Sequence, residues 1–127
     1  MPDHIPHEVR RFILANIDSI AQLEALLILR ANPQHKWACK DVAERIYLTE
    51  KETEAVLGKL ATRALIETEK LEPINYCYQP KSKDVAALID QLAETYAKYL
   101  VPVTNLIHQK PRRDIFEMAD AFRLKSE

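Results

Sequence analysis

A single glycine, Gly58, stands in 127 residues, and that scarcity restricts the possible folds and chemistries more than any other feature of the chain. Phosphate-cradling loops, dinucleotide fingerprints and nucleophile elbows need several glycines at fixed spacing. Only glycine lets a backbone crowd a phosphate or enter a left-handed turn without strain. None of those motifs can be written with one glycine. Three serines occur, Ser19, Ser82 and Ser126, none within a catalytic motif. No nucleophile, acid–base pair or metal-ligand set stands out, so no catalytic residue, cofactor or metal site is assigned and an enzyme is not expected.

Eighteen basic and nineteen acidic side chains leave a net charge of −1, whereas a dedicated nucleic-acid binder tends to show a basic surplus on at least one face. Cys39 and Cys77 sit in no metal-ligand spacing and read as free thiols of a reducing compartment. The start, MPDHIPHEVRR, has no apolar run behind a basic segment, and the longest apolar stretch, near Ala25 to Leu29, is too short to span a bilayer. A cytoplasmic protein without membrane contact is the expectation.

Helical periods dominate. Val9, Phe12 and Ile13 recur at steps of three and four over roughly residues 6–16. Asp18 or Ser19 can cap the next helix, whose Ile20, Leu23, Leu26, Leu27 and Leu29 nearly encircle it, which predicts a buried central helix. Asn32-Pro33 ends it. A short extended piece, HKWA, leads to a helix over CKDVAERIY, a turn at Leu48-Thr49, and a helix to about Arg63. Thr49 and Glu52 have the spacing of a capping box. Two short strands follow, with a turn at Glu72-Pro73 and Tyr76, Cys77 and Tyr78 on the return. From Ser82 a seam of Val85, Leu88, Ile89, Leu92, Tyr96, Tyr99, Leu100 and Val103 predicts a helix over 82–101, kinked or broken by Pro102. After Lys110-Pro111, a last amphipathic helix over 112–124 turns Ile115, Met118, Ala119 and Phe122 inward.

This order of elements resembles a winged helix-turn-helix. The stretch DVAERIYLTEKETEAVLGKLATRALIE carries the likeness at its packing positions: Val42 and Ala43 in the first helix, Ile46 and Leu48 around the turn, Val56, Leu57 and Leu60 along the second helix, and Leu65-Ile66 at the entry to the wing. With long helices on both sides, the whole layout is most similar to MarR-type regulators. The resemblance implies a mainly α fold with a small β-hairpin wing and additional N- and C-terminal helices. It implies one domain over 1–127, with N-terminal helices in 1–37, the helix-turn-helix and wing in 38–80, and C-terminal helices in 81–127 that pair two copies. Two positions depart from the family pattern: Tyr47 and Ala64 stand where glycines are usual, so the local turns are expected to differ.

The resemblance implies double-stranded DNA as partner and a role in transcription regulation, with the 50–63 helix in the major groove. The DNA contacts it points to are Lys40, Arg45, Lys51, Thr53, Lys59 and Arg63, with Lys36 a further basic candidate. The charge pattern points elsewhere. Glu50, Glu52 and Glu54 crowd the front of the reading helix, and the wing sets Lys70 against Glu67, Glu69 and Glu72. A winged-helix module that docks on a protein partner and leaves DNA alone is therefore the second reading. Lesser candidates are a His4/His7 metal pair, a redox role for Cys39 at a helix N-terminus, a ligand pocket among Tyr76, Tyr78, Tyr96 and Tyr99, and a basic cluster over Gln109–Asp114. The plainer reading of each is solvated surface or core packing.

Overall fold

The structure is a computed structural model that describes residues 5–70 and 73–109. Helix α1 (His7–Asn16) buries Val9, Phe12 and Ile13 as its periodicity requires. The chain then bends by 110° into helix α2 (Ile20–Ala31). Ser19 provides the cap, its hydroxyl accepting the Gln22 backbone N–H at 3.1 Å, which leaves Asp18 for another purpose. Leu23, Ala25, Leu26 and Leu29 are fully buried and Ile20, Leu27 and Ile28 partly so. At about 1.5–3 kcal/mol for each fully buried leucine, α2 is the axis on which the other elements pack. No single helix among the described residues is long and apolar enough to cross a membrane.

Strand β1 (Trp37–Ala38) leads into helix α3 (Cys39–Ile46) and helix α4 (Glu50–Thr62), and then into strands β2 (Ile66–Glu69) and β3 (Asn75–Tyr78). The extended piece before α3 does more than connect. It completes a three-stranded antiparallel sheet of order β1-β3-β2, with Trp37 opposite Tyr76 and Ile66 opposite Tyr78. The free edge of β3 would otherwise present unpaired backbone groups beside the core, and β1 satisfies them.

Helix α5 (Lys83–Lys98) starts on a Ser82 cap, and helix α6 runs from Leu100 to Gln109. The helix expected over 82–101 therefore stops earlier. Pro102 can donate no hydrogen bond to the Lys98 carbonyl, and its ring would collide with that carbonyl, so the ladder must end by Lys98. Pro102 itself sits in the first turn of α6, where an N–H is not missed. The seam is split accordingly: Ile89, Leu92 and Val103 are buried, while Leu100 and Val101 remain exposed. The helix expected over 112–124 lies outside the described residues.

The turns at Tyr47 and Ala64 take the left-handed geometry that suits glycine. Tyr47 and Ala64, both at φ 60, are the positive-φ residues among those described. At each, the next N–H reaches back across the helix end: Leu48 donates to the Ala43 carbonyl at 3.2 Å and Leu65 to the Leu60 carbonyl at 3.1 Å. This is the Schellman closure, which satisfies a carbonyl at the helix end and reverses the chain. The expectation that the turns differ is corrected, because two helix ends that must be closed outweigh about 1–2 kcal/mol of left-handed strain at each.

Two predictions arise here. The one glycine lies inside α4, where an added Cβ would meet nothing within 4 Å, while the left-handed site at 64 holds alanine. Ala64→Gly and Gly58→Ala should each stabilise by about 0.5–1 kcal/mol, raising the melting temperature by roughly 2–5 °C. A lower melting point for Ala64→Gly would show that the turn is unstrained. Second, the Tyr96 hydroxyl donates to Glu24 at 2.8 Å, tying α5 to α2, and burial first, then this bond and the Glu24 charge, push its pKa up to about 12. The folded state holds this proton more tightly than the unfolded chain. The associated stability is thus complete below about pH 10, the ordinary tyrosine value, and lost as pH rises toward about 12. Denaturant melts across that range should show a component of alkaline loss that Tyr96→Phe removes.

Candidate nucleic-acid interface

The front of α4 is built by its cap. The Thr49 hydroxyl accepts the Glu52 backbone N–H at 3.1 Å, and Glu52 Oε1 accepts both the Thr49 backbone N–H and its hydroxyl at 3.0 Å. The capping box read from the sequence is complete. The Thr49 backbone N–H, then its hydroxyl, lower the Glu52 pKa, so this carboxylate is held as an anion at the helix start. All three front glutamates, Glu50, Glu52 and Glu54, are exposed.

The six residues expected to touch DNA divide into two groups. Lys40 in the first turn of α3, Arg45 in its last, and Lys51 and Lys59 on α4 are all exposed. Arg45 stands over the Trp37 ring at 5.1 Å from its centroid. His35 meets the same ring edge-on at 4.6 Å. Thr53 and Arg63 leave the set. Thr53 is completely buried, because the inward row of α4 runs through positions 53, 57 and 60 and a small threonine fits beneath the α3–α4 turn.

Arg63 turns away from the surface, its side chain only 10% exposed. Its guanidinium donates to the Asp18 carboxylate at 2.6 Å, to Gln22 Oε1 at 3.2 Å and to the Asn16 backbone carbonyl. Gln22 Oε1 also accepts the Asp18 backbone N–H at 2.9 Å. The planar fork of arginine is suited to gathering several acceptors in this way. The last residue after α4 is thereby locked to the elbow between α1 and α2. The hint in the sequence was Asp18, which a helix capped by Ser19 does not need.

Other basic charge is also spent inside the fold. Lys36 pairs with Glu69 of the wing at 2.8 Å, and this bond and charge raise its pKa. Arg30 bonds Asp90 at 2.9 Å, joining α2 to α5. Lys70, just beyond β2, is exposed, as is Glu67.

The lesser candidates dissolve into packing. The Cys39 thiol donates to the Glu50 carbonyl at 3.3 Å. Burial, then the nearby Glu54 and Glu50 charges, raise its pKa, opposite to what a reactive thiolate needs. Tyr76, Tyr78 and Tyr96 pack with the core, and Tyr99 lines a separate cleft of about 190 Å³ with Pro6, Gln91 and Thr95. Among the described residues no three His, Cys, Asp or Glu side chains gather as metal ligands. His4 lies outside the described residues, as does the 110–114 part of the basic cluster.

An αα turn whose second helix is capped at its start, that helix held at both ends, and a three-stranded wing between long flanking helices make a winged helix-turn-helix fold. A MarR family transcriptional regulator from Streptomyces coelicolor superposes over 94% of this chain and 82% of its own, with TM-score 0.57 and 13% identity. The YusO protein from Bacillus subtilis matches over 93% and 80%, with TM-score 0.55 and 12% identity. A mutant of MepR from S. aureus, bound to an oligodeoxyribonucleotide, matches over 94% and 89%, with TM-score 0.52 and 16% identity. No family profile and no curated protein matches the sequence.

Removing the Arg63 fork tests its structural role. Arg63→Ala should cost about 3 kcal/mol, since it strips a mostly buried carboxylate of its countercharge, and Arg63→Lys should recover only part of that. Denaturant melts would check this. A loss below about 0.5 kcal/mol, as for exposed ion pairs, would return Arg63 to the surface set.

Proposed function

We propose that the protein is a winged-helix DNA-binding transcriptional regulator that acts as a homodimer. The observation that carries this reading is the similarity of fold, across nearly the whole chain, to a protein captured with an oligodeoxyribonucleotide. The exposed cations suit it. Lys51 and Lys59 flank α4 and Lys40 and Arg45 lie on α3, the two helices that a helix-turn-helix sets against the major groove and the adjoining backbone. The cap ties Glu52 to the Thr49 N–H and hydroxyl, so one of the three exposed front carboxylates already has hydrogen-bond donors of its own.

Pairing of two copies through the flanking helices supplies what one copy lacks. Leu100 and Val101, 54% and 63% exposed at the start of α6, and Leu14 on α1 give those helices uncovered apolar surface. A dimer doubles the cations presented and sets two α4 helices against successive major grooves.

A fluorescence-anisotropy titration with duplex DNA at rising salt tests the reading. Micromolar or tighter binding that fades with salt is expected, and Lys51→Glu should abolish it while the melting temperature stays within about 2 °C. Lys59→Ala should flatten the slope of log affinity against log salt by about 0.9 for each phosphate that is no longer neutralised. Absence of binding at low salt, or binding indifferent to salt, overturns the proposal.

A further inference from the structure

We propose that Tyr47 is a contact residue for the sugar–phosphate backbone of DNA, its neutral hydroxyl donating to a phosphate at the mouth of α4. The assignment rests on the DNA-binding reading above. Its evidence is a residue that the fold has no use for. Tyr47 is 92% exposed, so its ring contributes almost nothing to the core. It also occupies φ 60, ψ 42, a left-handed conformation that disfavours a side chain with a Cβ and suits glycine. Ala64, the other left-handed residue, is half-buried and has the smallest side chain that still carries a Cβ. At 64 the side chain is only a methyl group, whereas at 47 a large aromatic is held in the same backbone conformation and projected into water. The turn closure accounts for the left-handed backbone at 47 but not for a large exposed aromatic there. A side chain that the packing does not explain at such a position is where a functional reading begins.

Place and chemistry then select the partner. Tyr47 ends α3, and two residues later Thr49 caps α4, so the ring stands beside the N-terminus of the helix that enters the groove. Phosphate contacts in DNA complexes come from tyrosine, serine and threonine as well as from basic residues. At this position a neutral donor has an advantage. Glu44 lies one turn before it, and Glu50 and Glu54 face outward from the start of α4. A lysine among these carboxylates would be partly neutralised, whereas a phenol O–H carries no charge for them to cancel. The acidic front edge and the exposed tyrosine become parts of one surface, which touches the backbone with a donor that no neighbouring carboxylate can pair with as an ion.

The test compares the wild type with Tyr47→Phe and Tyr47→Gly by anisotropy with duplex DNA across a salt series, and by thermal melting. Tyr47→Gly should melt roughly 3–5 °C higher and yet bind about tenfold more weakly, a gain and a loss of opposite sign. Tyr47→Phe keeps the ring and the fold, and should bind several-fold more weakly with an unchanged salt slope, because no cation has been removed. Either variant binding like the wild type overturns the assignment while leaving the DNA reading intact. A Tyr47→Gly protein that melts no higher removes the strain on which the assignment stands and overturns it too. A wild type that binds no duplex at any salt defeats the DNA reading, and this inference with it.

Discussion

Both ends of the segment that carries α4 depend on a backbone conformation that this chain enters without glycine. The α3–α4 turn needs a left-handed residue at 47, and the exit to the wing needs another at 64. If either relaxed into the right-handed region, the helix before it would run on, and Leu57 and Leu60 would no longer pack against α2 once the angle between elements changed. The strain is outweighed because each turn closes a helix end by a backbone hydrogen bond and turns the next residue inward, Leu65 fully buried in the core and Leu48 half-buried. The geometry of the helix-turn-helix is thus set by the apolar residues flanking the turns rather than by the turn residues themselves.

Charge is arranged around that frame so that much of it is paired, nearly buried at Arg63 and Asp18 and at the surface elsewhere. Asp18, Gln22 and the Asn16 carbonyl gather Arg63; Glu69 holds Lys36; Asp90 holds Arg30; and Thr49 holds Glu52. A reading along the sequence sees only the Thr49–Glu52 cap among these pairings. In the folded chain the balance differs by face. Arg63 leaves the α4 surface together with Thr53. Lys40, Arg45, Lys51 and Lys59 remain in solvent alongside Glu50, Glu52 and Glu54.

The sequence was most legible where periodicity and capping act together. The α1 and α2 rows, the Ser82 start and the Thr49–Glu52 box are all present, because each depends on contacts within four residues. The third strand was not legible as a strand. Two residues, Trp37 and Ala38, have no period, and their pairing partner lies some forty positions away. The break at Lys98 was misplaced by reading Pro102 as a kink at its own position, when its effect falls four residues upstream. At the candidate site, solvent exposure was legible for the four cations that stay on the surface. Burial of Arg63 was not, since its partners Asp18 and Gln22 sit far off in sequence. Thr53 is buried by its place on the inward row of α4, with no hydrogen-bond partner for its hydroxyl among the described residues.

The Arg63 fork gives the fold a property that apolar packing alone does not. Hydrophobic contact between α2 and α4 resists separation, yet it is non-directional and tolerates small rotations. A guanidinium bound to three groups at one elbow resists rotation as well, because its donors lie in a plane and their acceptors come from three different residues. Asn16 ends α1, Asp18 lies in the bend and Gln22 belongs to α2, so the angle of the elbow and the direction of α4 are set by the same contacts. In an assembly of two copies joined through their flanking helices, this geometry makes the spacing of the two α4 helices a function of the elbow. Any change in the 110° bend must then be met by movement of α4 or by breakage of the fork.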